Sequence, residues 1–208
     1  LNNFQESINC YKKAININPN YADAHNNLGN ALKDSGKFEK AISCYKKAIN
    51  INPNYAEAYY NLGIIFEKLN NFQESINCYK KAIENSPKLF LVHYNLANTY
   101  VTMGKFSQAT KHFKEAIKIT PNFVLAHRGL SRITKYTKEN THLLQLKNLY
   151  DKTNTNDEIN KMHLAFALGK ANEDIENFEE SFLYYMTGNS INRSRINFSL
   201  EKEKNYFD

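Results

Sequence analysis

CYKKAININPNYA stands at Cys10–Ala22 and again, letter for letter, at Cys44–Ala56. LNNFQESINCYKKAI stands at Leu1–Ile15 and again at Leu69–Ile83. The first pair is offset by 34 residues and the second by 68, twice that. Unrelated helices do not agree over runs of 13 and 15 residues, so a 34-residue unit has been duplicated. A period of that length marks a repeat architecture.

Within Ala22–Pro53, small or apolar residues fall at Ala24, Leu28, Ala31 and Leu32, a helical spacing. Asp34-Ser35-Gly36-Lys37 is a turn signal. Phe38, Ala41, Ile42, Tyr45, Ala48 and Ile49 then share one face of a second helix. Asn52-Pro53-Asn54 ends it, because proline cannot continue a helix. Neither short helix buries its apolar face alone, so units must stack side by side. Gly29, Gly63 and Ala97 hold one shared position, where a small residue lets the two helices of a hairpin come close.

The unit resembles the tetratricopeptide repeat (TPR), a 34-residue helix–turn–helix. In Ala22–Tyr55 the matching residues include Leu28, Gly29, Leu32, Gly36, Phe38, Ala41, Tyr45, Ala48 and Pro53. Tyr59, Leu62, Gly63, Tyr79 and Pro87 carry the match in Ala56–Leu89. Leu96, Ala97, Tyr100, Phe113 and Pro121 carry it in Phe90–Phe123. Leu1–Tyr21 reads as a second helix without its first, so a fragment of a longer array is expected. The resemblance implies an all-α fold: a right-handed superhelix (solenoid) of antiparallel helix-turn-helix hairpins with a divergent C-terminal helical section.

After Pro121 the pattern decays. Val124–Thr134 still reads as a first helix, Tyr136–Asn140 breaks the register, and Thr141–Tyr150 is a short amphipathic stretch. Glu158–Glu173 and Phe178–Ser190 recover a hairpin in which Leu168-Gly169 matches Leu62-Gly63. The expected organisation is therefore a regular array over 1–121 (a half repeat plus three full ones), a divergent section over 122–191, and an exit segment over 192–208 toward a missing C-terminal domain. Residues 127–208 also resemble the segment that precedes the catalytic domain in bacterial TPR–sulfotransferase proteins, on LAFALGKANEDIENFEESFLYYMTGNSINR and His127-Arg128-x-Leu130-Ser131. The phosphate-binding loop of such an enzyme is not in the sequence.

Charge divides at the same place. Residues 1–121 carry 15 Lys, no Arg and 9 acids; residues 122–208 carry 12 basic and 12 acidic residues. Seven Gly and four Pro in 208 residues exclude collagen-like and linker-like chains. No apolar run reaches the roughly 18 residues of a membrane span. No leader is visible, and three Cys make no disulfide scaffold, so a cytoplasmic setting is expected.

The family binds partners along a concave face lined by first helices. By register the inward positions are Asn26, Asn27 and Asn30, then Tyr60, Asn61 and Ile64, then Tyr94, Asn95 and Asn98, and last Arg128, Gly129 and Arg132. Asn27, Asn61 and Asn95 repeat at one position, and an Asn side chain both donates and accepts. Such a ladder, similar to that of the O-linked N-acetylglucosamine transferase superhelix, can pair with the backbone of an extended peptide. Duplication of an Asn-rich chain, with 31 Asn, copies the position without selection. Arg128 and Arg132, one turn apart, can grip an acidic group or simply be solvated. The Lys/Arg set that clamps chaperone tails in another subfamily is missing.

Other repeated residues read as structure. Lys12-Lys13, Lys46-Lys47 and Lys80-Lys81 fall on second helices as a solvated face; a basic stripe for nucleic acid is the rival, weakened by the absence of Arg. Cys10, Cys44 and Cys78 lie a repeat apart, beyond the roughly 7 Å that a disulfide spans, and are expected as buried small residues. His25, His93 and His127 share a packing position too widely spaced for one metal. No phosphate loop, nucleophile elbow, H-E-x-x-H or zinc spacing is present. The chain thus reads as a non-enzymatic scaffold without cofactor. It binds a protein or peptide through Asn27, Asn30, Tyr60, Asn61, Tyr94, Asn95, Asn98, Arg128 and Arg132, and neither nucleic acid nor membrane. The alternatives are a substrate-recruiting or docking arm of a sulfotransferase and self-association through the truncated first repeat.

Overall fold

The computed structural model describes residues 4–154 and 156–195. Among them all regular structure is helical. The elements are α1 (Phe4–Ile17), α2 (Ala22–Asp34), α3 (Phe38–Ile51), α4 (Ala56–Lys68), α5 (Phe72–Asn85), α6 (Phe90–Thr102), α7 (Phe106–Ile119), α8 (Val124–Ile133), α9 (Thr141–Lys152), α10 (Glu158–Asp174) and α11 (Phe178–Arg195). The chain forms two compact units, Leu1–Ile119 and Thr120–Asp208.

In the first unit, α2–α3, α4–α5 and α6–α7 are antiparallel hairpins, and each second helix packs on the next first helix. Ile8, Leu28, Leu32, Tyr45, Leu62 and Ile65 join neighbouring hairpins into one core. Two devices make each hairpin. The first is the turn. Lys37 N–H donates to Leu32 O at 2.8 Å, Asn71 N–H to Phe66 O at 2.8 Å and Lys105 N–H to Tyr100 O at 2.8 Å. These are six-to-one bonds of a Schellman ending, which needs a left-handed residue one position earlier. Gly36 (φ 76°), Asn70 (φ 58°) and Gly104 (φ 70°) supply it.

The second device is a close approach. A Cβ built on Gly29 would stand 2.5 Å from the Tyr45 ring, and one on Gly63 would stand 2.6 Å from the Tyr79 ring. The ring of the second helix therefore lies on the bare backbone of the first. Both rings are fully buried, and each hydroxyl finds a partner: Tyr45 donates to Asn30 Oδ1 (2.7 Å) and Tyr79 to Glu67 Oε2 (2.8 Å). The third hairpin has Ala97 at the small position and Phe113, without a hydroxyl, at the ring position.

In the second unit α10 is central and packs on α8, α9 and α11. Its buried face is wide: Leu164, Ala165, Ala167, Leu168 and Ala171 are enclosed. The hairpin devices return in α10–α11. Asn177 N–H donates to Asn172 O at 2.9 Å, Glu176 takes the left-handed place at φ 62°, and a Cβ on Gly169 would lie 2.8 Å from Tyr185. After α8, by contrast, the chain crosses residues 134–140 before α9 begins. Residues 192–195, expected to leave the helical section, continue α11 because the helix keeps its register through Arg195. The rest of the expected exit segment, 196–208, lies outside the described residues.

Candidate functional site

The first helices α2, α4 and α6 lie side by side, which sets their equivalent residues next to one another. Asn61 Nδ2 donates to Asn26 Oδ1 at 3.2 Å, and Asn95 Nδ2 donates to the Tyr60 hydroxyl at 3.1 Å. The expected ladder thus stitches neighbouring repeats. An amide has two N–H donors and an oxygen, so one lateral bond leaves capacity for a ligand. Asn26, expected to face inward, is only 2% exposed, because it accepts this bond beneath the next helix. Asn27 is half-buried at the same register as Asn61 and Asn95. Asn30 is held by Tyr45, and the backbone oxygen of Asn98 accepts from Thr102 Oγ1 at 3.1 Å. The Tyr60 and Tyr94 rings, both half-buried, lean on Tyr79 and Phe113 with centroids 6.1 Å apart in each case. Burial pushes the Tyr60 phenol up, opposed by the bond from Asn95. The result is a row of amide and phenol groups along three helices.

Arg128 and Arg132 stand on α8 in the second unit. Arg128 is half-buried with its guanidinium 5.2 Å from the centre of the Phe166 ring; Arg132 is exposed. Burial, and then Arg132, pull the Arg128 pKa down.

The shared histidine position does more than pack. Nε2 of His25, His93 and His127 lies 2.9, 3.3 and 2.8 Å from the carbonyl of Pro19, Pro87 and Pro121. A carbonyl only accepts, so each Nε2 carries the hydrogen. Each ring latches its helix to the turn before it. The constant His–Pro spacing of six residues was the signal for this in the sequence. His93 Nδ1 then meets His112 Nδ1 at 3.1 Å, and burial pulls the His112 pKa down to about 4. In the second unit the relay is longer. His127 Nδ1 meets His142 Nε2 at 3.0 Å, and His142 Nδ1 meets the Tyr136 hydroxyl at 2.7 Å. With His127 Nε2 donating to Pro121, neutral rings order every proton: Tyr136 donates to His142, which donates to His127. Burial pulls the His127 pKa down and pushes Tyr136 up, which keeps the chain neutral. Beside it, Asp174 accepts from Lys170, from Tyr136 N–H (3.0 Å) and from Lys135 (3.2 Å). Burial would raise Asp174, but these donors hold its carboxyl below the usual range.

The cysteines correct one expectation. All three are free; Cys10 is exposed, and Cys44 and Cys78 are half-buried rather than enclosed. Burial pushes the Cys44 and Cys78 thiols up, opposed by Lys12 and Lys46 of the preceding second helices. The six repeated lysines are exposed. Open depressions of about 400 and 530 Å³ lie on this second-helix side and hold none of the predicted site residues. Among the described residues no cluster of three His, Cys, Asp or Glu could hold a metal, and no helix is long and apolar enough to cross a membrane.

A TPR repeat family model matches residues 1–36 and 29–70, and a tetratricopeptide repeat model matches residues 56–89 and 90–123. No curated protein matches the chain. Among solved structures the chain is similar to MamA, at 24% identity and TM-score 0.60 over 88% of this chain and 92% of that one. It is also similar to YrrB, described as a TPR protein with an unusual peptide-binding site, at 19% identity and TM-score 0.69 over 89% of this chain and 94% of that one. The matched models end at residue 123, so the sulfotransferase resemblance read over 127–208 has no support in them.

Proposed function

Because the chain belongs to the tetratricopeptide repeat family, whose models match residues 1–123, we propose that it is a protein-interaction scaffold and that its first unit binds an extended peptide. The row formed by Asn27, Asn61 and Asn95 with Tyr60 and Tyr94 carries this reading. Amide groups spaced by one helix each offer donors and acceptors to a peptide backbone, and the tyrosine rings offer flat apolar contact. YrrB, of similar fold and described as peptide-binding, supports it. Asn30 and Asn98 flank the row. The lysine pairs solvate the second-helix face and take no part, so nucleic acid and membrane are not the partners. The chain acts by binding rather than catalysis, in a cytoplasmic setting.

The test is selection of binders from a random peptide library against the whole chain, followed by titration of the winners. The double change Asn61→Ala and Asn95→Ala should raise Kd at least tenfold while the far-UV helical signal is kept. Unchanged affinity in a folded double variant would reject the row as the binding surface.

A further inference from the structure

The second helices align on their ring positions, Tyr45, Tyr79, Phe113 and Tyr185. In that alignment α11 departs from α3, α5 and α7 at three places. Met186 stands where the others carry Lys46, Lys80 and Lys114. Leu183 stands where they carry Ser43, Asn77 and Lys111. Arg193 stands where they have already ended and the chain reaches Pro53, Pro87 and Pro121. Without that proline α11 runs on to Arg195, 18 residues against 14 in each of the others.

The three departures share one face. Met186 centres a stripe about 120° wide that Glu179 begins and Arg193 ends, seven residues to either side. Phe182 and Leu183 lie before the centre, and Asn189 and Ser190 lie after it. Phe182, Leu183 and Met186 are 64%, 52% and 54% exposed, and the four polar members are exposed too. Ser181 and Gly188, which pack on α10, lie on the opposite side of the helix. A contiguous apolar patch rimmed by polar groups marks an interaction surface. A further stacked hairpin would not cover it. Ser43, Lys46, Asn77 and Lys80 stay exposed although a hairpin follows α3 and α5. That neighbour covers the Phe182 position instead, where Ile42 is half-buried and Ile76 is buried.

The stripe is its own complement. When it lies antiparallel on a copy of itself, with a two-fold axis at Met186, positions equally far before and after the centre face each other. Phe182 then meets the partner's Ser190 and Leu183 the partner's Asn189, a large apolar side chain over a smaller polar one each time. Glu179 meets the partner's Arg193, and symmetry makes every contact twice. A parallel pair would set Glu179 against Glu179 and Arg193 against Arg193, so charge fixes the direction.

We propose that α11 is the contact helix of an antiparallel homodimer, in which a second copy of this chain covers Phe182, Leu183 and Met186. The contact lies wholly in the second unit and does not rest on peptide binding by the first. The Asn61→Ala, Asn95→Ala variant therefore keeps it, and the two readings fail separately. A single helix pair belongs to the small class of interfaces, below about 1,200 Å² in total, so the dimer dissociates on dilution.

The experiment is sedimentation equilibrium of the whole chain over a range of about 1 to 300 µM, where a small interface is populated. The apparent mass should rise toward twice that of one chain. Met186→Lys, which installs the residue of the other second helices at an exposed position, should weaken association by about tenfold or more. Glu179→Arg and Arg193→Glu each set like charges at both ends of the contact and should keep the chain monomeric. Mixed one to one, those two variants should form a heterodimer with the affinity of the parent, because every end pair is again Glu with Arg. Far-UV helical signal checks that each variant is folded. A parent chain that stays monomeric throughout overturns the proposal and gives the face to residues 196–208 or to a different protein. A dimer that both charge reversals leave intact overturns it too, and moves self-association elsewhere, such as the truncated first repeat. Failure of the mixed variants to pair rejects the antiparallel register and with it the proposal.

Discussion

The two units use the same hairpin key and differ in what surrounds it. In the first unit Tyr45 and Tyr79 lie fully buried on Gly29 and Gly63, and neighbouring hairpins cover them from the side. In the second, Tyr185 lies on Gly169 but is only half-buried. The units also close differently behind a first helix. After α6, a left-handed turn brings α7 directly back, and His93 meets His112. After α8 no such turn follows, and α9 arrives through residues 134–140; yet His127 still meets His142, and Tyr136 extends the contact. Repetition supplies apolar cover in one unit. Where repetition stops, a buried polar relay holds the helices instead. The comparison teaches that a repeat can lose its period and keep its contacts, provided that polar groups fix the geometry which periodicity no longer fixes.

The largest expected effect separates the two glycines. Gly63→Val should destabilise the first unit by about 3 kcal/mol, since the Tyr79 ring is enclosed and cannot yield. Gly169→Val should cost only about 1 kcal/mol, because the half-buried Tyr185 can swing outward. Equal losses in urea unfolding would break the comparison. Next comes the relay. His142→Leu leaves the His127 Nδ1 and the Tyr136 hydroxyl without their buried partner and should cost about 2 kcal/mol, read as a shift in the unfolding midpoint.

Acid sharpens the comparison further. His112 titrates at about 4 in the folded chain against an ordinary 6.5, so the unfolded state takes the proton first. The stability that His112 contributes is complete above about pH 6.5 and is lost as the pH falls toward 4. His112→Gln should flatten that part of the profile. Glu67, whose pKa burial raises, runs the other way and is common to both proteins. His127, also lowered, predicts the same sign for the second unit. The smallest effect concerns Glu176, which holds the left-handed place that Gly36 and Gly104 hold elsewhere. Glu176→Gly should stabilise the second unit by up to about 1 kcal/mol in thermal unfolding, and a loss would show that this turn is not strained.

Much of this was legible in the residues. The 34-residue period and the small residues at Gly29 and Gly63 located the hairpins and their close approach, because burial imposes a periodic pattern. Asn27, Asn61 and Asn95 were legible as a row, but their lateral bonds were not, since pairing with Asn26 and Tyr60 depends on the offset between stacked helices. The Tyr136–His142–His127 relay was hidden because Tyr136 and His142 lie outside the repeat spacing that His127 keeps. Arg128 and Arg132 stood out as neighbours on one helix.

The identity of Leu1–Ile15 and Leu69–Ile83 bears on how the chain assembles. α5 packs on α4, whereas α1, which shares twelve of its residues from the first onward, packs on α2. Side-chain complementarity cannot tell α4 which of the two to accept. The three-residue turn at 69–71 does, by holding α5 at an effective concentration on the order of millimolar or above, while α1 must close a far longer loop. Partner choice in this array is thus set by chain connectivity: cutting the chain at that turn would leave two near-identical helices competing for one seat.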